Sequence, residues 1–145
     1  MRSELVIAGV YGEYDEERIA GREVWTVGRS PYEGASRYYE LHGLSFPCFP
    51  GREYTRSVCP ALEADMTVPL GNSVCAMLME AVYEGYTDIE ILNCPLCASQ
   101  EYIRERMDLA YCIAVARERF GSRVSWDVLD TEMKSRYGSL ARGAS

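Results

Sequence analysis

The sequence predicts a single α/β domain built around a mostly parallel sheet of about five strands. Short apolar runs alternate with amphipathic helical segments along the chain, and this alternation is clearest from Leu70 to Phe120, which reads as helix, strand and helix. With 145 residues and 48% hydrophobic content, the chain is long enough for one domain with its own core. We assign residues 1–133 to this domain and expect the small, polar residues 134–145 to form a loose C-terminal tail.

Five segments have the character of strands. Each is a short apolar or alternating run bounded by turn-forming residues, and they are Leu5–Val10, Val24–Gly28, Arg37–Gly43, Asp88–Asn93 and Arg123–Val128. The proline-rich stretch from Leu44 to Pro69 predicts irregular structure with at most one short strand. Strands that alternate with helices imply parallel pairing through right-handed crossovers.

Three helices are predicted between these strands. The first is a short acidic segment near Asp15–Ala20, and the second begins with Asn72 or Ser73 as its N-cap. The third has Ser99 as its N-cap, and helical spacing predicts that its apolar face is formed by Ile103, Met107, Ala110 and Ala114. Cys75 and Cys112 fall on apolar helix faces, where cysteine behaves as a small hydrophobic residue.

Charge and composition exclude several classes of function. A net charge of −7 argues against a nonspecific nucleic-acid surface or an anionic membrane surface, since both require clustered cations. No apolar run approaches the roughly 18 residues of a membrane span, and the first residues do not resemble a signal peptide. We therefore expect a cytoplasmic protein that keeps its six cysteines reduced.

A glycine turn follows the first predicted strand, as Gly9-Val10-Tyr11-Gly12. In a dinucleotide-binding sheet this is where backbone amides approach a phosphate, so Gly9, Tyr11 and Gly12 are candidate ligand-binding residues. The alternative is a simple turn, because the acidic residues that follow it would repel phosphate.

His42 is the only histidine and is therefore the natural candidate for a general base. It follows Glu40 at the predicted carboxyl end of a strand, where ligands of open parallel sheets bind. Glu101 and Arg106 begin the third helix near the same edge, and Arg106 could pair with an anionic ligand. The plainer interpretations are a hydrogen-bonded loop histidine and charge pairing within the helix.

The turn Cys94-Pro95-Leu96-Cys97 opens the third helix. A CxxC pair in this position is typical of thiol redox sites, and it is also half of a zinc site that Cys48, Cys59 or His42 could complete. A second CxxC or an HxxxH pair is missing, so a structural helix-entry turn is the third interpretation.

The order of these motifs resembles a group of Rossmann-like proteins of unknown function, often encoded by bacteriophages. That group is distantly similar to bacterial sialyltransferases that use a CMP-sugar and to MptE-like pterin diphosphokinases. The resemblance covers roughly residues 5 to 128 and rests on these matching segments: Val24–Val27, Tyr39–His42, Asn72–Tyr86, Ile89–Leu92, and Glu101-Tyr102 with Arg106.

The resemblance implies a Rossmann-like three-layer domain that binds a nucleotide or nucleotide-sugar. Its ligand would lie among residues 9–12, Asn72, Ser73 and the end of the Asp88–Asn93 strand, with Gly28 and Asn93 at strand ends. Three positions depart from the group's pattern: Gly28 replaces an asparagine, Asn93-Cys94-Pro95 replaces a segment ending in aspartate, and Ala110 replaces a glutamate. Because acid–base groups are lost there, any transferase activity would be weak or absent.

The leading hypothesis is therefore a nucleotide-binding Rossmann-like domain, in effect a degenerate transferase. The alternative is a noncatalytic phage or prophage protein that acts through interactions, as a homo-oligomer or with a virion partner. Its location would then be the bacterial host cytoplasm or the virion. Thiol redox or zinc chemistry at Cys94 and Cys97 is the third hypothesis.

Overall fold

The computed structural model describes residues 4–10, 15–40, 49, 51–56, 68, 72–94 and 100–127, with the side chains of 100–103 excepted. Several predictions concern residues outside these ranges and are not tested by the fold. They are the roles of Tyr11, Gly12, His42, Cys97 and the Glu101 side chain, the Ser99 cap, and the loose tail.

The described residues form five strands and three helices. In chain order they are β1 (Glu4–Ala8), α1 (Glu16–Ile19), β2 (Val24–Val27), β3 (Arg37–Tyr39), α2 (Ser73–Tyr83), β4 (Asp88–Leu92), α3 (Gln100–Phe120) and β5 (Arg123–Trp126). All five predicted strands are present, although β1, β3 and β5 end two or more residues earlier than the sequence indicated. Thr55, in the stretch predicted to be irregular, forms an isolated parallel bridge to Tyr39 at the end of β3.

The sheet is parallel throughout, with strand order β3-β2-β1-β4-β5. The central pair is β1 and β4, in register from Glu4 opposite Asp88 to Ala8 opposite Leu92. The predicted α/β Rossmann-like fold is therefore confirmed, since an all-parallel sheet in this strand order, covered by helices, is typical of it.

Each face of the sheet is covered by a different part of the chain. Residues opposite each other in register share a face, so Leu5, Ile7, Ile89 and Ile91 lie on one side, where α2 and α3 pack against them. On the other side Ile19 of α1 packs against residues of three strands, Val6, Ala8, Val24 and Leu92. Three layers result, with the larger core beneath α2 and α3.

Helix α2 is buried along its whole inner length, from Val74 to Val82. Its one buried charge, Glu80, hydrogen-bonds to Tyr39, and burial together with this bond raises the pKa of the Tyr39 hydroxyl. One turn further on, Glu84 receives two hydrogen bonds from the Arg37 guanidinium, one of them 2.8 Å long. That guanidinium lies 4.2 Å from the centre of the Trp25 ring, so a polar and aromatic cluster fixes α2 over β2 and β3.

The sequence prediction for the inner face of α3 is wrong. Met107 is 70% exposed, and Ala110 and Ala114 are exposed as well. The buried face is shifted around the helix and consists of Leu109, Cys112, Ile113, Val115 and Ala116. Helix α3 carries two apolar stripes, and periodicity alone could not tell which one faces the sheet.

A pair of alanine substitutions tests this helix phase. Leu109 is fully buried, so Leu109→Ala should lower the free energy of unfolding by about 3 kcal/mol through lost burial and a cavity. The matched change Met107→Ala should stay within about 0.5 kcal/mol, because the side chain is mostly in solvent. Urea unfolding followed by circular dichroism measures both values, and the reverse ranking would contradict the structure.

Candidate functional site

The carboxyl edge of the sheet has a topological switch between β1 and β4. After β1 the chain goes to α1 on one face, whereas after β4 it goes to α3 on the opposite face. In open parallel sheets, chain segments that leave neighbouring strands in opposite directions open a crevice where ligands bind. The candidate site is therefore centred on the residues that follow β1 and β4.

Gly9 and Asn93 meet at this point. The Gly9 amide donates a 2.8 Å hydrogen bond to the Leu92 carbonyl. A Cβ atom on Gly9 would lie only 2.1 Å from the Asn93 carbonyl oxygen, so no other residue fits without a backbone shift. Asn93 itself has a φ of 56°, a left-handed conformation that asparagine tolerates better than most residues. The structure thus brings these two predicted site residues together. It also gives a steric explanation for glycine at position 9.

The N-terminus of α2 is a second part of the candidate site. Asn72 is the N-cap, because its side-chain oxygen accepts a 2.9 Å hydrogen bond from the Cys75 amide. This confirms one of the two predicted caps and leaves Ser73 as the first helical residue, partly exposed. The first turn contains no acidic residue of its own, so the positive end of the helix dipole is not offset from within the helix, although Asp108 of α3 acts electrostatically on Cys75 in that turn.

Gly28 and Glu40 meet at the ends of β2 and β3. The Gly28 amide donates to the Tyr39 carbonyl, and a Cβ on Gly28 would lie 3.4 Å from a Glu40 carboxylate oxygen. The same Cβ would lie 2.8 Å from the Tyr54 ring, so packing against Tyr54 also explains why glycine occupies position 28. Glu40 is largely buried, and its amide donates to the Thr55 carbonyl.

Arg52 is a residue that sequence reasoning missed. Its guanidinium donates to the carbonyls of Gly28 and Ser30, at 2.9 and 2.6 Å. It also lies 3.9 Å from the ring centres of both Tyr38 and Phe49. The sequence does not signal this cluster, because Gly28, Ser30 and Tyr38 lie far before Arg52 in the chain and the short spacing from Phe49 to Arg52 is not specific.

Cys94 and Asp127 follow the neighbouring strands β4 and β5. The pKa of the Cys94 thiol is raised to about 12. Burial is the main cause, and the nearby Glu105 and Asp127 carboxylates contribute. The Trp126 indole donates a 2.9 Å hydrogen bond to the Cys94 carbonyl, and Arg106 lies 5.6 Å from the Trp126 ring centre. Asp127 was not predicted as a site residue, because the sequence placed it inside the last strand, whereas β5 ends at Trp126.

This environment disfavours thiol chemistry at Cys94. A thiol whose pKa is about 12 stays protonated at neutral pH, whereas redox cysteines have lowered pKa values. Among the described residues no group of three or more His, Cys, Asp or Glu side chains is arranged to hold a metal ion. The predicted partner Cys97 lies outside the described ranges.

A concavity of about 470 Å³ lies at the other end of the sheet, near the beginnings of β4 and β5. Its charged lining is largely paired: Glu90 binds both Arg18 and Arg22, and Asp88 binds Arg123 at 2.6 Å. Arg117 instead donates to the Val124 carbonyl on the outer strand. We place the candidate site at the carboxyl edge rather than here, because paired arginines have little capacity left for an anion.

The comparisons with known proteins returned no match: no protein family, no curated protein and no solved structure matches this chain. Within the described ranges, no helix has the length and apolar character needed to cross a membrane. The class of the protein is therefore given by strand order and layer arrangement alone, as an α/β Rossmann-like domain.

The close contact between Gly9 and Asn93 predicts that adding one methyl group at Gly9 destabilises the protein more than adding one at an open glycine position. Gly9→Ala should lower the free energy of unfolding by about 2 kcal/mol, because the new Cβ collides with the Asn93 carbonyl. Gly21→Ala is the control: it has a φ of 73° but open space, so it should cost about 1 kcal/mol from backbone strain alone. Chemical denaturation measures both, and an unperturbed Gly9→Ala protein would disprove the contact.

The Glu90 ion pairs predict a pH-dependent contribution to stability. Burial opposes the charged carboxylate, but hydrogen bonds from Arg22 and Arg18 outweigh it and lower the Glu90 pKa below its usual 4.5. The stabilisation is therefore present above about pH 4.5 and is lost as the pH falls through the lowered pKa. Glu90→Gln should cost about 1 kcal/mol at pH 7, and this cost should shrink as the pH is lowered below 4.5. A cost that stays constant down to the pH of acid unfolding, measured by urea titration, would refute this account.

Proposed function

We propose that this chain is a binding domain for a nucleotide or a nucleotide-derived ligand such as a nucleotide-sugar. The observation that carries the proposal is the switch between β1 and β4, where the chain leaves neighbouring strands toward opposite faces. Open parallel sheets bind their ligands at such a point, outside the carboxyl ends of the strands.

The phosphate group of such a ligand would bind at the N-terminus of α2. The backbone amides at a helix N-terminus and the helix dipole both favour an anion. Ser73 adds a hydroxyl at the first helical position, and no acidic residue occupies that turn. Because the chain has a net charge of −7, which repels anions, an anionic ligand depends on a local positive potential such as that at the N-terminus of α2.

The sugar and base would extend along the edge toward β2 and β3. Glu40 is a carboxylate at the end of β3, and a carboxylate there can accept hydrogen bonds from ribose hydroxyls. The rings of Tyr38 and Phe49, whose centres each lie 3.9 Å from the Arg52 guanidinium, are near the same strand end. These groups support a ligand with hydroxyls and an aromatic base.

Any transfer reaction would depend on acid–base groups around Cys94. The group that the sequence resembles has an aspartate after β4 where this chain has Pro95, but Asp127 after β5 provides a carboxylate close to Cys94. Asp127 is therefore the described group best placed to exchange a proton with a bound substrate. His42 keeps its predicted role as a general base, at a position outside the described ranges.

A noncatalytic interaction protein, including a virion-associated one, is the second candidate function. The observation that favours it is the exposed apolar surface of α3, where Met107 and Tyr111 face solvent. Titration calorimetry separates the two candidates, because only the first requires a small anionic ligand.

The binding proposal is tested by calorimetry with CMP, UDP, ADP and their sugar conjugates. At least one should bind, and Ser73→Asp should weaken that binding about tenfold or more because a carboxylate then occupies the phosphate position. The same substitution should not destabilise α2, since an acidic residue in the first turn favours a helix. Ser125→Asp on the outer strand makes the same charge change and should leave binding unchanged. No binding of any of these ligands at about 1 mM would refute the proposal.

A further inference from the structure

Helix α3 exposes an apolar stripe on the side away from the sheet. Met107 is 70% exposed and Tyr111 50% exposed, and Ala110 and Ala114 beside them are exposed as well. The third large exposed apolar side chain in the described part of the chain, Phe120, rests against Tyr83 with ring centres 5.2 Å apart. Large apolar side chains rarely lie together on one face of a monomer without a partner, so the stripe identifies a candidate interface.

The stripe has the spacing of a coiled-coil seam. Arg104, Met107, Tyr111, Ala114 and Glu118 follow one another at intervals of three, four, three and four residues, and all are exposed. This 3–4 pattern is the repeat that allows two helices to pack side by side along their length. Ala110 and Ala114 are small enough for the axes to approach closely, while Met107 and Tyr111 supply the contact area.

The charges at the two ends of the stripe are opposite and symmetric. Arg104 lies seven residues before Tyr111, and Glu118 lies seven residues after it, about 10.5 Å away along the axis in each direction. If two copies pack antiparallel with Tyr111 at the two-fold axis, Arg104 of each copy faces Glu118 of the other. A parallel pair would instead place like charges together, which is unfavourable.

We propose that this stripe is a homodimer interface, in which α3 packs against α3 of a second copy in antiparallel orientation. The second copy is the occupant that the surface fits, because a two-fold operation brings each charge to its opposite without any additional partner. A seam of four helical turns buries less than the roughly 1,200 Å² of a standard interface, so we expect micromolar rather than nanomolar association. This interface lies on the outer side of α3 and does not depend on the proposed ligand.

Charge reversal tests both the interface and its orientation. Sedimentation velocity of the full chain from about 1 to 100 µM should show a monomer–dimer equilibrium. Arg104→Glu alone and Glu118→Arg alone should each weaken association about tenfold or more, because like charges then meet at both ends. The double variant should recover association to within about threefold of the unchanged protein, since the two charges have only exchanged places.

Matched controls exclude a general effect of charge. Arg29→Glu and Glu33→Arg make the same changes at exposed positions after β2 and should leave the equilibrium unchanged. Tyr111→Asp should abolish the dimer while far-ultraviolet circular dichroism and the thermal midpoint stay close to those of the unchanged protein, because the side chain is half exposed.

Three outcomes would overturn the proposal. The first is a monomer throughout the concentration range, including the case in which another segment of the same chain covers the stripe. The second is a dimer that all these variants leave intact, which would place the interface elsewhere. The third is a double variant no better than the single variants, which would exclude the antiparallel pairing of Arg104 with Glu118.

Discussion

The pairing of β1 with β4 is the constraint on which the rest of the structure depends. These strands are distant in sequence yet lie side by side at the centre of the sheet, in register over five residues. β2 and β3 extend the sheet from one side of this pair, and β5 extends it from the other. Because the chain reaches β4 only by crossing from β3 over the sheet, the same pairing also determines where α2 lies and creates the switch point at the carboxyl edge.

Packing at the carboxyl ends of the strands explains two glycines that could otherwise be mistaken for ligand contacts. Gly9 is needed where the Asn93 backbone passes within contact distance, and Gly28 is needed beside the Tyr54 ring. Both glycines therefore have steric functions whether or not a ligand binds. The case for the ligand site rests instead on the two chain segments diverging at the edge and on the N-terminus of α2, whose first turn contains no acidic residue.

Helices α2 and α3 make contrasting contributions on the same side of the sheet. α2 is buried, and Glu80 and Glu84 fix it through Tyr39 and Arg37. α3 packs through one stripe and exposes another, and it touches α2 where Cys112 meets Cys75 next to the Asn72 cap. The candidate ligand site and the proposed interface are thus built on neighbouring helices. The ligand site uses the N-terminus of α2, and the interface uses the exposed face of α3.

By itself the sequence determined the class of fold, the five strands, the Asn72 cap and the burial of Cys75 and Cys112, because these depend on local periodicity and residue preference. Only the tertiary structure decided which stripe of α3 faces the sheet, since Met107 and Leu109 are equally apolar and the choice depends on what β4 and β5 present to the helix. The tertiary structure also brings Gly9 close to Asn93, Arg52 close to Tyr38, and Cys94 close to Asp127. Such contacts join residues far apart in the chain, and they arise from strand order, which no local pattern encodes.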